Sequence, residues 1–485
     1  MSAPKVSTSL RDRFEMIMNG AIDTAIRLVT TDDTLTASIE GVECIMIEAM
    51  IHNYTGNLHR AWLAVRRASG VAQTTGLHKG YNSSAYKILD PTANTAFNPD
   101  VLCFRIVEMD RYLSVTLGLP ESSLKTRALE PEIMEQCHPI DRMARLQCII
   151  ARRILKSDHI PRPRKEPGVL NEVEELLQQA AREMSPSWWT VPDLSPGHEN
   201  TASNPLQEIS RINYHFSHYH LTMRLHLPYM LGTSQHAHNS KISAASAARE
   251  TLSRYVTFRR WNFGHFYCRG VDYLAFIALT VLSLAHIDAS RLTVQDELLN
   301  SDVIRIFAQS HLSDRGIMER TLDILKGMEN DTTASKLASI MQHILDVEAA
   351  ANSGVGYEAV GAKEKDGPTE YDGCLDQDKA TLKLSIPYFG TITLRRKATS
   401  LATGTLPEQL QTMQWDYDWL QQPNLSQHDA HICCGNACLD GDFGSTDDST
   451  LQSINDSLFG GLFGGIKGQE AFLSLDSLFA HDAET

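Results

Sequence analysis

A chain of 485 residues, 42% of them apolar, is long enough for roughly two or three domains and a substantial core, and its net charge of -15 argues against binding a polyanion with the whole surface. The longest apolar stretch, 271–284, is interrupted by Asp272 and is shorter than the roughly 20 residues of a membrane span, so it reads as a buried helix with no membrane association. The opening MSAPKVSTSLRDRF lacks the apolar segment of a secretory signal, and Cys44, Cys103, Cys137, Cys148 and Cys268 stand singly in apolar surroundings; the expectation is a reduced, intracellular protein.

From Arg11 to about Ala351 the periodicity is helical, and nothing alternates like a sheet. Leu58, Trp62, Val65, Ser69 and Ala72 recur at three- and four-residue spacing and predict a helix capped by Gly76, with Leu77 and His78 following. A second helix is predicted from the Asn98-Pro99 cap, with Phe104, Met109, Leu113 and Val115 on its buried side, ending at Gly118 and Pro120. Further helices are expected over 140–156, 170–184, 207–227, 244–261, 270–286, 315–328 and 334–351. Pro-rich loops at 161–168 and 185–205 separate some of them. The basic residues Arg152, Arg153, Arg162, Arg164 and Lys165 read either as a nuclear import signal or as a solvated helix end and linker.

The expected fold class is therefore all-α, a multi-helix body over 1–351. Residues 352–380 have few apolar anchors and read as a flexible insert. Residues 381–397 carry the β-branched and aromatic pattern of a short hairpin that docks on the helices. Residues 398–485 read as a mostly disordered acidic tail.

Catalytic chemistry finds no foothold in this pattern. There is no phosphate-cradling glycine loop, no His-Glu-x-x-His helix and no Gly-x-Ser-x-Gly elbow, and Gly354, Gly356 and Gly361 miss the dinucleotide spacing. No catalytic residue and no cofactor is predicted, and the expected class is not an enzyme. On a helix His215, His218 and His226 fall within about 80° of one another, close enough for a ligand face. The interleaved Phe216, Leu221 and Leu225 favour packed, hydrogen-bonded rings, with no carboxylate nearby in sequence to orient them. His428, His431, Cys433, Cys434 and Cys438 cluster without the paired spacing of a structural zinc site. No metal ligand is assigned.

The segment GNLHRAWLAVRRASGVAQTTGLHKGY, followed by FRIVEMDRYLSVTLGLPESSL, resembles the middle homology region of fungal zinc-cluster transcription factors. The motif residues are Trp62, Gly76-Leu77-His78, Asp110-Arg111, and Gly118 with Pro120; LHLPYML, FYCRGVDYLAFIALTVL and IPYFGTITL extend the likeness over about 11–394. The resemblance implies an all-helical regulatory domain in a nuclear protein that controls metabolic or secondary-metabolite genes. Asp110 and Arg111 read as ion-pair formers between helices, and Pro120 as the helix stop. No cysteine precedes Cys44, so the six-cysteine zinc cluster of the family is not in this sequence. The expectation is a truncated gene model or a regulator that reaches DNA through a partner; a homodimer or heterodimer fits either.

Between Cys438 and Thr485 nine acidic residues face one base, Lys467. Asp456-Ser457-Leu458-Phe459 recurs as Asp476-Ser477-Leu478-Phe479 in this glycine- and serine-rich setting. Acidic residues keep such leucines and phenylalanines in water until a coactivator groove accepts them as a short amphipathic helix, so Leu458, Phe459, Leu478 and Phe479 are the expected contacts with the transcription machinery. The alternative is a generic disordered terminus with chance repetition.

Overall fold

In the computed structural model the described residues are 16–17, 20–82, 87–88, 98–158, 167–191, 205–231, 234–261, 268–295, 301–328, 331–353, 357–361, 381–386 and 390–396. Up to residue 353 they form a helical body. Its long helices are α1 (Ile39–Tyr54), α2 (Leu58–Thr74), α3 (Pro99–Leu117), α4 (Pro139–Asp158), α5 (Pro167–Arg182), α6 (Pro205–His226), α7 (Gln235–Trp261), α8 (Arg269–Gln295), α9 (Ser301–Lys326) and α10 (Thr332–Asn352). The tail at 398–485 lies outside the described residues.

Local chemistry sets the helix ends. Asn98 accepts from the amides of Asp100 and Val101 at 3.0 and 3.3 Å, and Pro99 fills the first turn of α3, where its missing N–H costs nothing. Gly118 ends the same helix in the left-handed conformation, φ 67°, a backbone that L side chains resist. Ser38 caps α1 by accepting from the Gly41 amide at 3.0 Å.

Helix α8 organises the core. Residues 270–289 are all buried, and α1, α6, α7, α9, α10 and the first strand pack around them. By length and composition α8 could cross a membrane, but its apolar stretch is wholly enclosed by the protein. A second apolar cluster joins Met143, Ile150 and Ile154 of α4 to Val173 and Leu177 of α5 and Leu221 and Leu225 of α6.

The polar groups of α8 find partners on α7 and α9. Asp272 accepts from Tyr255 at 2.8 Å and from Arg259 Nε at 2.9 Å, and Asp288 pairs with the fully buried Lys241. His286 Nε2 lies 2.8 Å from Asp314, whose carboxylate also takes two hydrogen bonds from Arg249 at 2.7 and 2.8 Å. Farther out, Arg315 of α9 and His311 both reach Glu348 of α10 at 2.7 Å.

After α10 a small antiparallel sheet runs in the order β1-β3-β2, with β1 (Tyr357–Gly361), β2 (Thr381–Ile386) and β3 (Gly390–Arg396). Leu384 stands opposite Ile392, and Ile392 is itself buried in the main apolar core. Strand β1 falls inside the stretch read from sequence as a flexible insert; pairing with β3 supplies the order that its own composition does not.

Two further differences from the sequence reading have physical causes. Helix α1 shows no apolar stripe because Glu48, His52 and Asn53 are buried along with Ile45, Ala49 and Met50, so it lacks the 3.6-residue contrast that marks a surface helix. Helices α7 and α9 begin at Gln235 and Ser301 rather than at 244 and 315; the first turns of α7 are polar, whereas those of α9 carry Val303, Ile304, Ile306 and Phe307, an apolar signal that the sequence reading passed over.

Burial pushes the Asp314 carboxyl up, but the hydrogen bonds and charges of His286 and Arg249 outweigh it and bring it down to about 2 from an ordinary 3.8. A carboxyl depressed in the folded state stabilises fully above its unfolded pKa and stops doing so as pH falls through the folded one. Urea unfolding followed from pH 7 to 2 should therefore show stability falling between about pH 4 and 2. Asp314→Asn should be less stable at pH 7 and flatter over that interval; an unchanged slope in the variant would assign the acid limb to other carboxyls.

Candidate functional site

Five of the motif residues meet in one cluster where the chain leaves α3. The Trp62 indole N–H donates to Ser114 Oγ at 3.1 Å, and the Ser114 hydroxyl donates to the Pro120 carbonyl at 3.1 Å. The Leu119 amide also returns to the Ser114 carbonyl at 3.0 Å, so the left-handed Gly118 folds the following segment back along α3. Asp110 and Arg111 then hold that segment. Asp110, 1% exposed, accepts from the Ser122 amide at 2.6 Å and faces Arg66 Nη1 of α2 at 3.5 Å. Arg111 donates from Nε to Glu121 at 3.1 Å and from Nη1 to the carbonyl and the sulfur of Cys148 on α4, each at 3.2 Å.

Charge is matched throughout this clamp. Arg152 takes the second oxygen of Glu121 at 3.2 Å, and the Arg66 guanidinium lies 5.2 Å from the centre of the Trp62 ring, within cation–π range. Burial raises the Asp110 carboxyl above its usual range, against the pull of the Ser122 amide and Arg66. Gly76, Leu77 and His78 lie at the other end of α2. Gly76 has φ 74°, Leu77 is buried in the main core, and His78 Nδ1 lies 3.3 Å from the Ala72 carbonyl. There Gln73 donates to Ser123 at 2.9 Å, tying the end of α2 to the clamped segment as well.

On the inner side of Arg111 lies a cavity of about 90 Å³, walled by Asn53 and Tyr54 of α1, Tyr112 of α3, Cys148 of α4, His220 of α6 and Gly270 of α8. Burial pushes the Cys148 thiol up to about 11 and the Cys268 thiol, also in the wall, up to about 12. Neither is a ready nucleophile, because the thiolate is the reactive form. Burial and the nearby Arg224 bring His220 down to about 3, so its imidazole is neutral. This chemistry suits binding better than bond-making.

The histidine run of α6 diverges to separate partners. His215 Nε2 lies 3.0 Å from the Trp188 carbonyl, Nδ1 accepts from Arg254 at 2.8 Å, and burial brings the ring down to about 2. His218 packs on Trp189. His226 faces Ser240 at 3.3 Å and Glu174 of α5 at 3.4 Å, a carboxylate that the sequence alone does not bring near. Among the described residues no group of three or more His, Cys, Asp or Glu is placed to hold a metal. Of the basic residues, Arg152 pairs with Glu121 and Arg153 with Glu172 at 3.1 Å. Arg162, Arg164, Lys165, the cluster His428 to Cys438, and Leu458, Phe459, Leu478 and Phe479 lie outside the described residues.

Comparison with known proteins places this architecture. The chain is 33% identical over 410 residues to the dehydrocurvularin biosynthesis regulator of Alternaria cinerariae, and 32% identical over 403 residues to the protein of the same name in Aspergillus terreus. These matches cover 81% and 80% of this chain but 51% and 53% of the relatives. The transcription factor eupR of a Phoma species is 36% identical over 225 residues, 46% of this chain and 47% of that protein. Over about four fifths of its length the chain is similar to proteins named as fungal biosynthesis regulators. It spans about half the length of the curated relatives it matches. No family profile and no solved structure matches it.

Sequence reasoning missed Ser114, Glu121, Ser122 and Cys148 in the clamp, and Asn53, His220 and Gly270 in the cavity wall. Only the first three carried a local signal, since they flank the Gly118-Leu119-Pro120 turn. Removing one member of a buried, hydrogen-bonded ion pair typically costs about 3–5 kcal/mol. Arg111→Met should lose stability on that scale in urea unfolding. Arg111→Lys, which keeps the charge but not the planar fork, should fall between the variant and the native chain. Equal stability of all three chains would show that the clamp contributes nothing to the fold.

Proposed function

We propose that this protein regulates transcription in the nucleus of a fungus, controlling secondary-metabolite biosynthetic genes, and that it is not an enzyme. The observation that carries this reading is the 33% identity, over 81% of the chain, to a protein named as a biosynthesis regulator. The helical body is the regulatory part, and the clamp around Asp110 and Arg111 keeps α2, α3 and α4 in one arrangement. The acidic tail recruits a coactivator through Leu458, Phe459, Leu478 and Phe479. DNA is reached directly or through a partner, and the chain works as a homodimer or heterodimer. The basic residues Arg152, Arg153, Arg162, Arg164 and Lys165 serve nuclear import. Motifs of catalysis are missing from the sequence, and the thiols of the cavity are held in their unreactive form, which supports a binding role.

Disrupting the gene in its own fungus should lower transcripts of the biosynthetic genes it governs by at least about tenfold, a change worth 1.4 kcal/mol if read as an equilibrium. A transcriptome without any such coordinated set would overturn the regulatory reading.

Residues 438–485 fused to an unrelated DNA-binding domain should activate a reporter, and Phe459→Ala with Phe479→Ala should abolish most of that signal. A silent fusion, or one indifferent to both substitutions, would remove the tail from the mechanism and leave the body's role standing.

A further inference from the structure

Two residues of the cavity wall each carry a polar atom with no hydrogen-bond partner among the described residues: Asn53 at Oδ1 and His220 at Nε2. Their residues are 5% and 2% exposed, so bulk water does not serve them. A buried polar atom left unpaired costs about 1–3 kcal/mol, and two residues of one cavity wall carrying such atoms mark a place where a guest can supply the bonds. Gly270 keeps the same space open. A Cβ on Gly270 would stand 3.3 Å from Tyr112 Oη and 3.5 Å from Asn53 Oδ1.

The wall also selects the guest. Its charged groups are already matched, Glu108 with Arg105 at 3.0 Å and Arg111 with Glu121 at 3.1 Å, so an added ion would be buried without a counter-charge. The guest is therefore neutral. The Asn53 oxygen accepts, and the neutral His220 ring presents at Nε2 a donor or an acceptor according to which nitrogen holds the proton. A hydroxyl group answers both atoms because it donates and accepts. The remaining wall includes Tyr54, Tyr214, Phe216 and Leu274, a surface suited to a flat apolar ring. The volume of about 90 Å³ lies well above the roughly 10–15 Å³ that one water needs, so the space admits a guest of several heavy atoms.

We infer that this cavity is a binding site for a small neutral hydroxylated molecule of the class of a single phenolic ring, held through its hydroxyl by Asn53 and His220. Because Arg111 reaches from the cavity wall to Glu121, the guest sits against the residue that holds the clamped segment. The inference goes beyond the transcriptional reading and is tested on the purified chain, so either can fail alone.

Calorimetric titration of the full chain with phenol, benzene and benzoate tests it. Phenol should bind saturably at one site, at least tenfold more tightly than benzene, and benzoate should not bind. Asn53→Leu, of similar size, should bring phenol down to the affinity of benzene. Gly270→Ala fills the space while favouring the helix, and should weaken both neutral rings at least tenfold without loss of helical circular dichroism. If Asn53→Leu does not fold, Gly270→Ala decides. No saturable phenol binding to the native chain, phenol binding indifferent to the folded variants, or benzoate binding as well as phenol would each overturn the assignment.

Discussion

Helix α8 is buried on every side from residue 270 to residue 289, and the layout of the body follows from that. Such a helix cannot face water on any flank, so α1, α6, α7, α9 and α10 surround it. The same burial forbids an unpaired charge on it. Asp272, His286 and Asp288 lie 14 and 2 positions apart along the helix, and each finds its partner on a neighbour: Arg259 and Tyr255, Asp314, and Lys241. These pairs stabilise little in net terms, because desolvation offsets much of their attraction. What they contribute is register. Sliding α7 or α9 by one turn along α8 would strand a buried carboxylate several ångströms from its cation, so the polar groups select one packing among the many that the apolar surface alone would accept.

The legibility of this fold divides along the same line. Helix ends set by neighbours in sequence were readable: the Asn98-Pro99 cap, the left-handed Gly118 and the turn at Gly76 all depend on backbone chemistry within a few residues. The stripe of α2 was readable because one side of it faces solvent. Helix α1 was not, since Glu48 is buried against Arg67 of α2 at 2.5 Å and erases the contrast between faces. The cavity was beyond reach for a different reason. Asn53, His220 and Gly270 come from three helices far apart in the chain, and no local pattern encodes that Asn53 Oδ1 and the space beside Gly270 coincide.

The Asp110-Arg111 pair shows how two adjacent residues can do separate work. Successive residues on a helix point about 100° apart and do not face each other, so the two charges are not a pair in themselves. Asp110 turns toward α2 and Arg111 toward α4. Their other contacts land on consecutive residues, Ser122 and Glu121, so the segment after Pro120 is gripped from two directions. Trp62 adds a third grip through Ser114, and Gln73 a fourth through Ser123. A helix stop followed by a free loop would need only Gly118 and Pro120; the four grips make the segment a strut between α2, α3 and α4. Because Arg111 also borders the cavity, any shift of α3 against α4 that changed the cavity would have to break or rebuild its bonds to Cys148 and the Arg152 bond to Glu121.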